Sequence, residues 1–463
     1  MPATPDPYDV VIVGAGVVGC AIARELSHYN LAVALIDGSN DVGDGTSKAN
    51  TAILHTGFDA TPQTLEANLV ARGYDLLGDY AGQAGIPFRV IGAWLVAWDS
   101  DQLRALPALA QKAAQNGYLH TRLVGIEELY EGEPHLGAGA LGALEVPGEG
   151  IICPWTTTLA YATQAVRAGV ELMLSTTVTE IAAEHDEVIR VQTDRGPLAT
   201  RWLINAAGLS SDLIDHMFGH YDFSITARRG ELIVFDKLAA TLVNRVLLPV
   251  PTSKGKGVLI APTVYGNVML GPTSEDLSDR TDSGSSERGL EFLIDKGRQL
   301  MPELVEEEVT TVYAGLRAAT EHNDYQIRIH PRQHYVCVGG IRSTGLTASM
   351  AIAEYVLQLM SEAGLEPGTR SEGTVPVMPN IGEIDLRPYA RSELIAADSS
   401  YGTIVCHCER VTRGEIRDAL GSTIPATTVE GLRRRTRVLM GRCQGFFCAA
   451  EVRDLLSADV IAP

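Results

Sequence analysis

Apolar positions recur along this chain with two different periods. Near-continuous apolar runs at 8–13, 31–36, 201–206 and 335–340 predict strands buried on both faces, as in a parallel sheet. Helical spacing predicts helices from the glycines after residue 13 to about His28, then over 64–84, 101–116, 155–168, 285–301 and 347–361. Alternation over 226–236 and 257–271 predicts an antiparallel sheet, while 171–181 and 187–192 read as strands of a small β unit. Residues 39–62 are rich in Gly, Ser, Thr and Asn and read as a long functional loop. Residues 364–400, with scattered Pro, Gly and Ser, read as a linker with local order, and the last sixty or so form a compact unit.

Length and charge narrow the picture. A chain of 463 residues predicts two or three domains. Its 37 basic against 57 acidic residues give −20, a field that opposes nucleic acid and anionic membrane surfaces but not a small anion held by convergent arginines. No run reaches the roughly 18 apolar residues of a membrane-spanning helix. Cysteines at metal-like spacing without a secretory leader point to a reducing cytoplasm.

The first strand runs into Gly14-x-Gly16-x-x-Gly19, with a helix after it and an acid at Asp37 closing the second strand. In that context the three glycines serve a tight turn, a close approach to a pyrophosphate and helix–strand packing; the helix N-terminus favours the phosphate charge, and Asp37 would bind a ribose. Thr46-Ser47-Lys48-Ala49-Asn50-Thr51-Ala52 then forms a small polar stretch. Asn205-Ala-Ala207-Gly208 closes a later strand, and Gly339-Gly340-Ile-Arg342-Ser343-Thr-Gly345-Leu346-Thr347 makes a second glycine turn before a helix.

In kind and order these segments, over roughly residues 8–360, resemble the D-amino-acid-oxidase-like family of FAD enzymes. The resemblance implies FAD held by Gly14, Gly16, Gly19, Asp37, Thr46, Ser47, Asn50, Thr51, Ala52, Val178, Ala207, Gly208, Gly340, Ser343, Gly345, Leu346 and Thr347. Leu54-His55-Thr-Gly57 is similar to a segment that places a histidine beside the flavin in the glycerol-3-phosphate and 2-hydroxyglutarate branches, which makes His55 the candidate general base. Tyr313-Ala-Gly315-Leu-Arg317 resembles the segment whose arginine faces the substrate, so Arg317 is expected to clamp a carboxylate or phosphate. Arg342 is expected to stabilise negative charge at the flavin or substrate, and Arg229 to line the same site.

Four of the seven cysteines fall at the other end, as Cys406-His-Cys408, 34 residues, then Cys443-x4-Cys448. Zinc and an iron–sulfur cluster both suit four gathered thiolates. The run from Leu432 through Arg433–Arg437, Gly441 and Cys443 to Cys448 resembles the bacterioferritin-associated-ferredoxin-like domain of anaerobic-type glycerol-3-phosphate dehydrogenases. That resemblance implies Cys406, Cys408, Cys443 and Cys448 as [2Fe-2S] ligands, with the basic run as a cluster-facing, solvated helix face.

The expectation is an α/β enzyme. A Rossmann-type FAD-binding domain (about 1–80, 145–222 and 310–363) would be interleaved with an antiparallel substrate domain (about 81–144 and 223–309). A linker (364–400) and a [2Fe-2S] domain (401–463) would follow. The resemblance implies oxidation of a small anionic hydroxy compound, foremost sn-glycerol 3-phosphate. Electrons would pass to a partner subunit, a ferredoxin or the quinone pool, in an oligomer or at the inner face of the membrane. Phe58 and Asp59 stand where aerobic glycerol-3-phosphate enzymes supply a further arginine. A 2-hydroxy acid or an amino acid therefore stays open as substrate, and so does an electron-transfer subunit without substrate chemistry.

Overall fold

The computed structural model describes residues 7–183, 188–251, 257–371 and 373–461. Glu187, expected to open a strand, and the outermost residues 1–6 and 462–463 of the expected domains lie outside them.

The first sheet sets five parallel stretches side by side: Glu171–Met173, Val33–Ile36, Tyr8–Val13, Gly196–Asn205 and Tyr335–Gly339. Gln326–His330 runs antiparallel to the last of these. The hairpin Val178–Ala183 with Ile189–Thr193 feeds antiparallel into the first half of Gly196–Asn205. The stretch read as one strand over 171–181 is thus two strands. Ser175 takes a left-handed φ of 51°, and the chain leaves a parallel position beside Val33–Ile36 for the antiparallel unit.

Helices Val17–Leu26, Pro154–Arg167, Leu65–Ala84 and Gly345–Glu362 pack together against this sheet. Gly73 lets two of them meet closely, because a Cβ there would stand 2.3 Å from the Thr347 carbonyl oxygen. Thr64 starts its helix by accepting from the Ala67 N–H at 3.1 Å.

The second sheet has nine strands among the described residues. One edge of it is a long antiparallel pair, Thr226–Phe235 with Val309–Ala319, the latter outermost. The latter strand escaped the sequence reading because its outer residues break the alternation. It places 310–319 in the substrate sheet, beyond the expected boundary at 309. Ala93–Ala97, Gly142–Val146 and Val246–Pro249 extend the same sheet.

The linker with local order expected over 364–400 is, over its described residues, a docked strap. Backbone N–H groups of Ser371, Met378 and Glu383 donate to carbonyls of His28, Ala84 and Val264 at 2.7, 2.8 and 2.9 Å. Within the strap Arg387, 1% exposed, donates to Glu415 at 2.7 Å. Beyond the strap, the hairpin Ile404–Cys406 with Val411–Thr412 and helices Arg413–Leu420, Val429–Thr436 and Ala449–Ile461 enclose their own apolar core.

The basic run is not a solvated face. Arg435 makes a bidentate pair with Asp41, 2.7 Å to each oxygen, and Arg434 reaches Asp41 and Asp44 at 2.8 Å. Arg437 donates to Glu409 at 2.9 Å and lies 4.2 Å over the Tyr265 ring. These three side chains are buried between the domains; Arg433 alone keeps a surface partner, Glu430. Among the described residues no helix is long and apolar enough to cross a membrane.

Candidate functional site

The glycine turn after the first strand is built by close backbone contact. Gly14 has φ +109°, and a Cβ there would lie 2.4 Å from the Ala206 carbonyl oxygen; at Gly19 it would lie 1.8 Å from that of Gly14. Gly16 is different: its Cβ would meet only the Ser47 hydroxyl, at 3.2 Å. Protein packing does not demand that glycine, whereas a phosphate lying against the helix N-terminus does. Asp37 stands at the mouth of this turn, accepting from the Ala15 and Ser39 N–H groups at 2.6 and 2.7 Å. Val178 opens the strand beyond Thr177, whose hydroxyl crowds Gly38. Ala207 donates its N–H to the Asn205 amide oxygen, and Gly208 turns at φ +56°.

The polar loop runs from this turn towards the second sheet. Ser47 accepts from the Val17 N–H at 2.9 Å, and the Thr46 hydroxyl donates to the Leu316 carbonyl at 2.7 Å. Asn50 ties the loop to itself through Ser47 and Ala52, and Ala52 takes φ 55° next to Thr51. Gly315 and Tyr313 meet the loop from the opposite side. A Cβ at Gly315 would lie 1.9 Å from the Ala49 carbonyl oxygen, and the Tyr313 hydroxyl donates to the Asn50 carbonyl at 2.7 Å.

Strand pleating then decides between the arginines. Arg317 lies two residues beyond Gly315 and therefore shares the face that meets the loop. It stands opposite Arg228 in the register. Its guanidinium donates to the Thr273 carbonyl at 2.9 Å and has no carboxylate ion pair among the described residues. Burial and the nearby Arg228 charge both weaken its hold on its proton relative to an ordinary arginine. Arg229 points to the other face, where Glu275 at 2.6 Å and Asp282 at 3.3 Å take up its charge. The fold does not bring Arg229 together with Arg317, because one residue along a strand reverses the face. Arg228, which the sequence reading passed over, has the matching orientation and is held by Asp276 at 2.6 Å.

His55 follows the loop. Its backbone N–H donates to the Thr347 hydroxyl at 3.0 Å, which joins it to the N-terminus of helix Gly345–Glu362. That helix begins in the second glycine turn, with Gly340 at φ +64°, Ser343 exposed, Leu346 packed inward and no side-chain cap on its first N–H groups. Arg342 sits on the turn but donates to Glu66 at 2.7 Å and to the Asn323 carbonyl at 2.6 Å, so its charge is already met. The His55 Nδ1 lies 3.1 Å from Glu149, an acid that no local pattern marked.

The four cysteines of the C-terminal domain are free thiols. Cys408 touches Cys443, and Cys406 touches Cys448. Among the described residues no three potential ligands close on one ion position, yet the Cys406 and Cys443 thiols both act on Cys408 and on Cys448, so the four sulfurs lie near one another. Four gathered thiolates would suit a two-iron cluster. Burial would raise the Cys443 thiol, but the Phe447, Gly445 and Phe446 N–H groups and the Cys408 thiol bring it below its ordinary value. A Cβ at Gly441 would stand 2.3 Å from that of Cys408, so the glycine makes room for this ligand.

The family model for FAD dependent oxidoreductases (DAO) matches residues 9–359, three quarters of the chain. The chain belongs to that family. In this FAD-dependent oxidoreductase a BFD-like [2Fe-2S] binding domain matches residues 404–458 and contains all four cysteines. It is 38% identical over 455 residues to a glycerol 3-phosphate dehydrogenase of Caloramator mitchellensis, covering 98% of this chain and 94% of that one. It is 31% identical over 276 residues to a mitochondrial L-2-hydroxyglutarate dehydrogenase of Caenorhabditis elegans, covering 58% of this chain and 63% of that one. Its fold is similar to the FAD-bound, dithionite-reduced L-alpha-glycerophosphate oxidase of Mycoplasma pneumoniae, with TM-score 0.76, 29% identity, and 80% of this chain and 98% of that one covered. The cofactors are FAD and a [2Fe-2S] cluster, and the enzyme is glycerol-3-phosphate dehydrogenase-like.

Proposed function

We propose that the enzyme is a dehydrogenase that oxidises sn-glycerol 3-phosphate or a related polyol phosphate and passes the electrons to a separate acceptor by way of its C-terminal domain. Bound FAD supplies a hydride acceptor and the cluster a one-electron carrier. The observation that carries the reading is Arg317, a largely buried guanidinium on the face that meets the flavin loop, opposite Arg228 and without a carboxylate of its own. An arriving phosphate gives it a bidentate partner and relieves the repulsion between the two arginines. His55 removes the hydroxyl proton as the carbinol carbon is oxidised. The likeness to the Caloramator mitchellensis glycerol 3-phosphate dehydrogenase over nearly both whole chains favours this substrate and a dehydrogenase.

The acceptor we assign to a partner subunit, a ferredoxin or the quinone pool, in the cytoplasm or at the inner membrane face. Anaerobic addition of sn-glycerol 3-phosphate to the purified holoenzyme should bleach the flavin absorbance, and a Cys443→Ser variant should keep the bleaching but lose the reduced-cluster paramagnetic signal. A 2-hydroxy acid is the second reading, favoured by the L-2-hydroxyglutarate dehydrogenase relatives and by the equal fit of a carboxylate to Arg317. Bleaching by L-2-hydroxyglutarate, with none by the phosphate, would put it first.

A further inference from the structure

Glu149 is a carboxylic acid with no exposed surface, lying between the strand Gly142–Val146 and Ile151. Burying such a group is costly unless every lone pair finds a donor. One oxygen accepts from the Thr56 N–H at 2.7 Å and from the Thr56 hydroxyl at 2.8 Å. The other stands 3.1 Å from His55 Nδ1. Two tyrosines hold the peptide just before it: the Tyr74 hydroxyl donates to the Gly148 carbonyl, and the Gly148 N–H donates to the Tyr118 hydroxyl, each at 2.7 Å. There is no slack on either side. A Cβ at Gly148 would lie 2.8 Å from the Tyr118 hydroxyl, and one at Gly150 would lie 3.0 Å from the Arg89 carbonyl oxygen. The acid is sealed, whereas the imidazole it faces keeps a fifth of its side-chain surface accessible (20%).

We propose that Glu149 is the positioning residue for His55, holding the imidazole in the tautomer with the proton on Nδ1 and the lone pair on Nε2. This rests on the reading of His55 as the base. In the oxidation, the substrate's C–H gives a hydride, with both electrons, to FAD, and its hydroxyl proton passes to Nε2 as the C=O bond forms. His55 then carries one positive charge, offset by the Glu149 carboxylate at Nδ1; Glu149 itself takes no proton. Thr56, by occupying the other oxygen, leaves the carboxylate one direction in which to meet a charge. The titratable groups facing this pair are Tyr74 and Tyr118, and both phenols are pushed above their ordinary range, by burial first and then by the Glu149 charge (for Tyr118 against the pull of the Gly148 N–H), so they act as neutral hydrogen-bonding props.

The test uses the full-length holoenzyme. In E149Q the amide can donate to Nδ1 and favour the opposite tautomer, so the limiting rate of flavin reduction by sn-glycerol 3-phosphate should fall about 100-fold or more while the substrate dissociation constant stays within about twofold. E149D, which keeps the charge, should recover part of the rate. The H55A/E149Q double variant should be no slower than H55A, because both act through one group. Nitrogen-15 spectra of histidine-labelled wild-type protein should show His55 protonated at Nδ1, the signal being assigned by its loss in H55A.

A wild-type His55 protonated at Nε2 overturns the proposal even if E149Q does not fold. So does an E149Q enzyme with an unchanged limiting rate, or one whose loss lies wholly in substrate affinity or FAD content. If H55A itself reduces flavin at the wild-type rate, the reading of His55 as the base fails instead, a result separate from the tautomer measured in the spectra.

Discussion

Arg434 and Arg435 on the C-terminal domain are a buried pair of arginines, whereas on the second sheet a largely buried Arg317 faces a half-exposed Arg228. The first pair reaches across nearly 400 residues of sequence to Asp41, beside the flavin loop. Each of its guanidiniums is met by a carboxylate, so its charge serves to fasten one domain to another. In the second pair Arg228 has Asp276, while Arg317 has a carbonyl and the repulsion of its neighbour. Residue type does not separate the two pairs. Whether the protein itself completes the ion pair does.

The largest effect should come from breaking the fastened pair. Asp41→Ala leaves two buried guanidiniums short of a carboxylate and should cost about 3 kcal/mol, read as a lower urea midpoint and faster proteolytic release of the C-terminal domain. Arg317→Ala should leave folding nearly intact and lower kcat/KM for sn-glycerol 3-phosphate about 100-fold, mostly through KM, with lysine restoring part of the loss. An unchanged KM would make Arg317 structural after all.

Acid should loosen the fastening between the domains. Burial would raise the Asp41 and Glu409 carboxyls, but the Arg435 and Arg434 contacts hold the first below its ordinary value, and the Arg437 and Lys237 charges hold the second below its own. Their contribution is therefore complete above the ordinary carboxylate range near pH 4 and is lost as pH falls through the lowered values. Domain release that begins instead on going from neutral to alkaline pH would contradict this pairing. Arg229→Ala should cost about 1–3 kcal/mol of stability with no change in KM, because its partners lie on the far face. The smallest effect belongs to Arg442, exposed and paired with Asp236 and Glu308 between the domains: alanine there should shift the melting point only marginally, and less still in high salt.

Much of the fold was readable from local pattern. The Gly14–Gly19 turn, Asp37, the apolar strands of the parallel sheet and the cysteine quartet declare themselves because each depends on residues within one turn or one strand. Arg229 was drawn towards the site by its sequence neighbours, and only the pairing of Thr226–Phe235 with Val309–Ala319 revealed that Arg228 shares the face of Arg317. Glu149 had no local signal at all. It sits between two glycines, and its meaning comes from His55, 94 positions earlier.

The sequence by itself determined the two cofactor motifs, their order along the chain and the class of sheet that carries the first. These are backbone requirements, positive φ, close approach and thiolate spacing, and a short segment states them completely. Tertiary structure alone decided which arginine is left for an anion, which acid faces the histidine and what the basic run is for. Charge pairing depends on contacts between segments hundreds of residues apart, and a one-residue change of strand register reverses it.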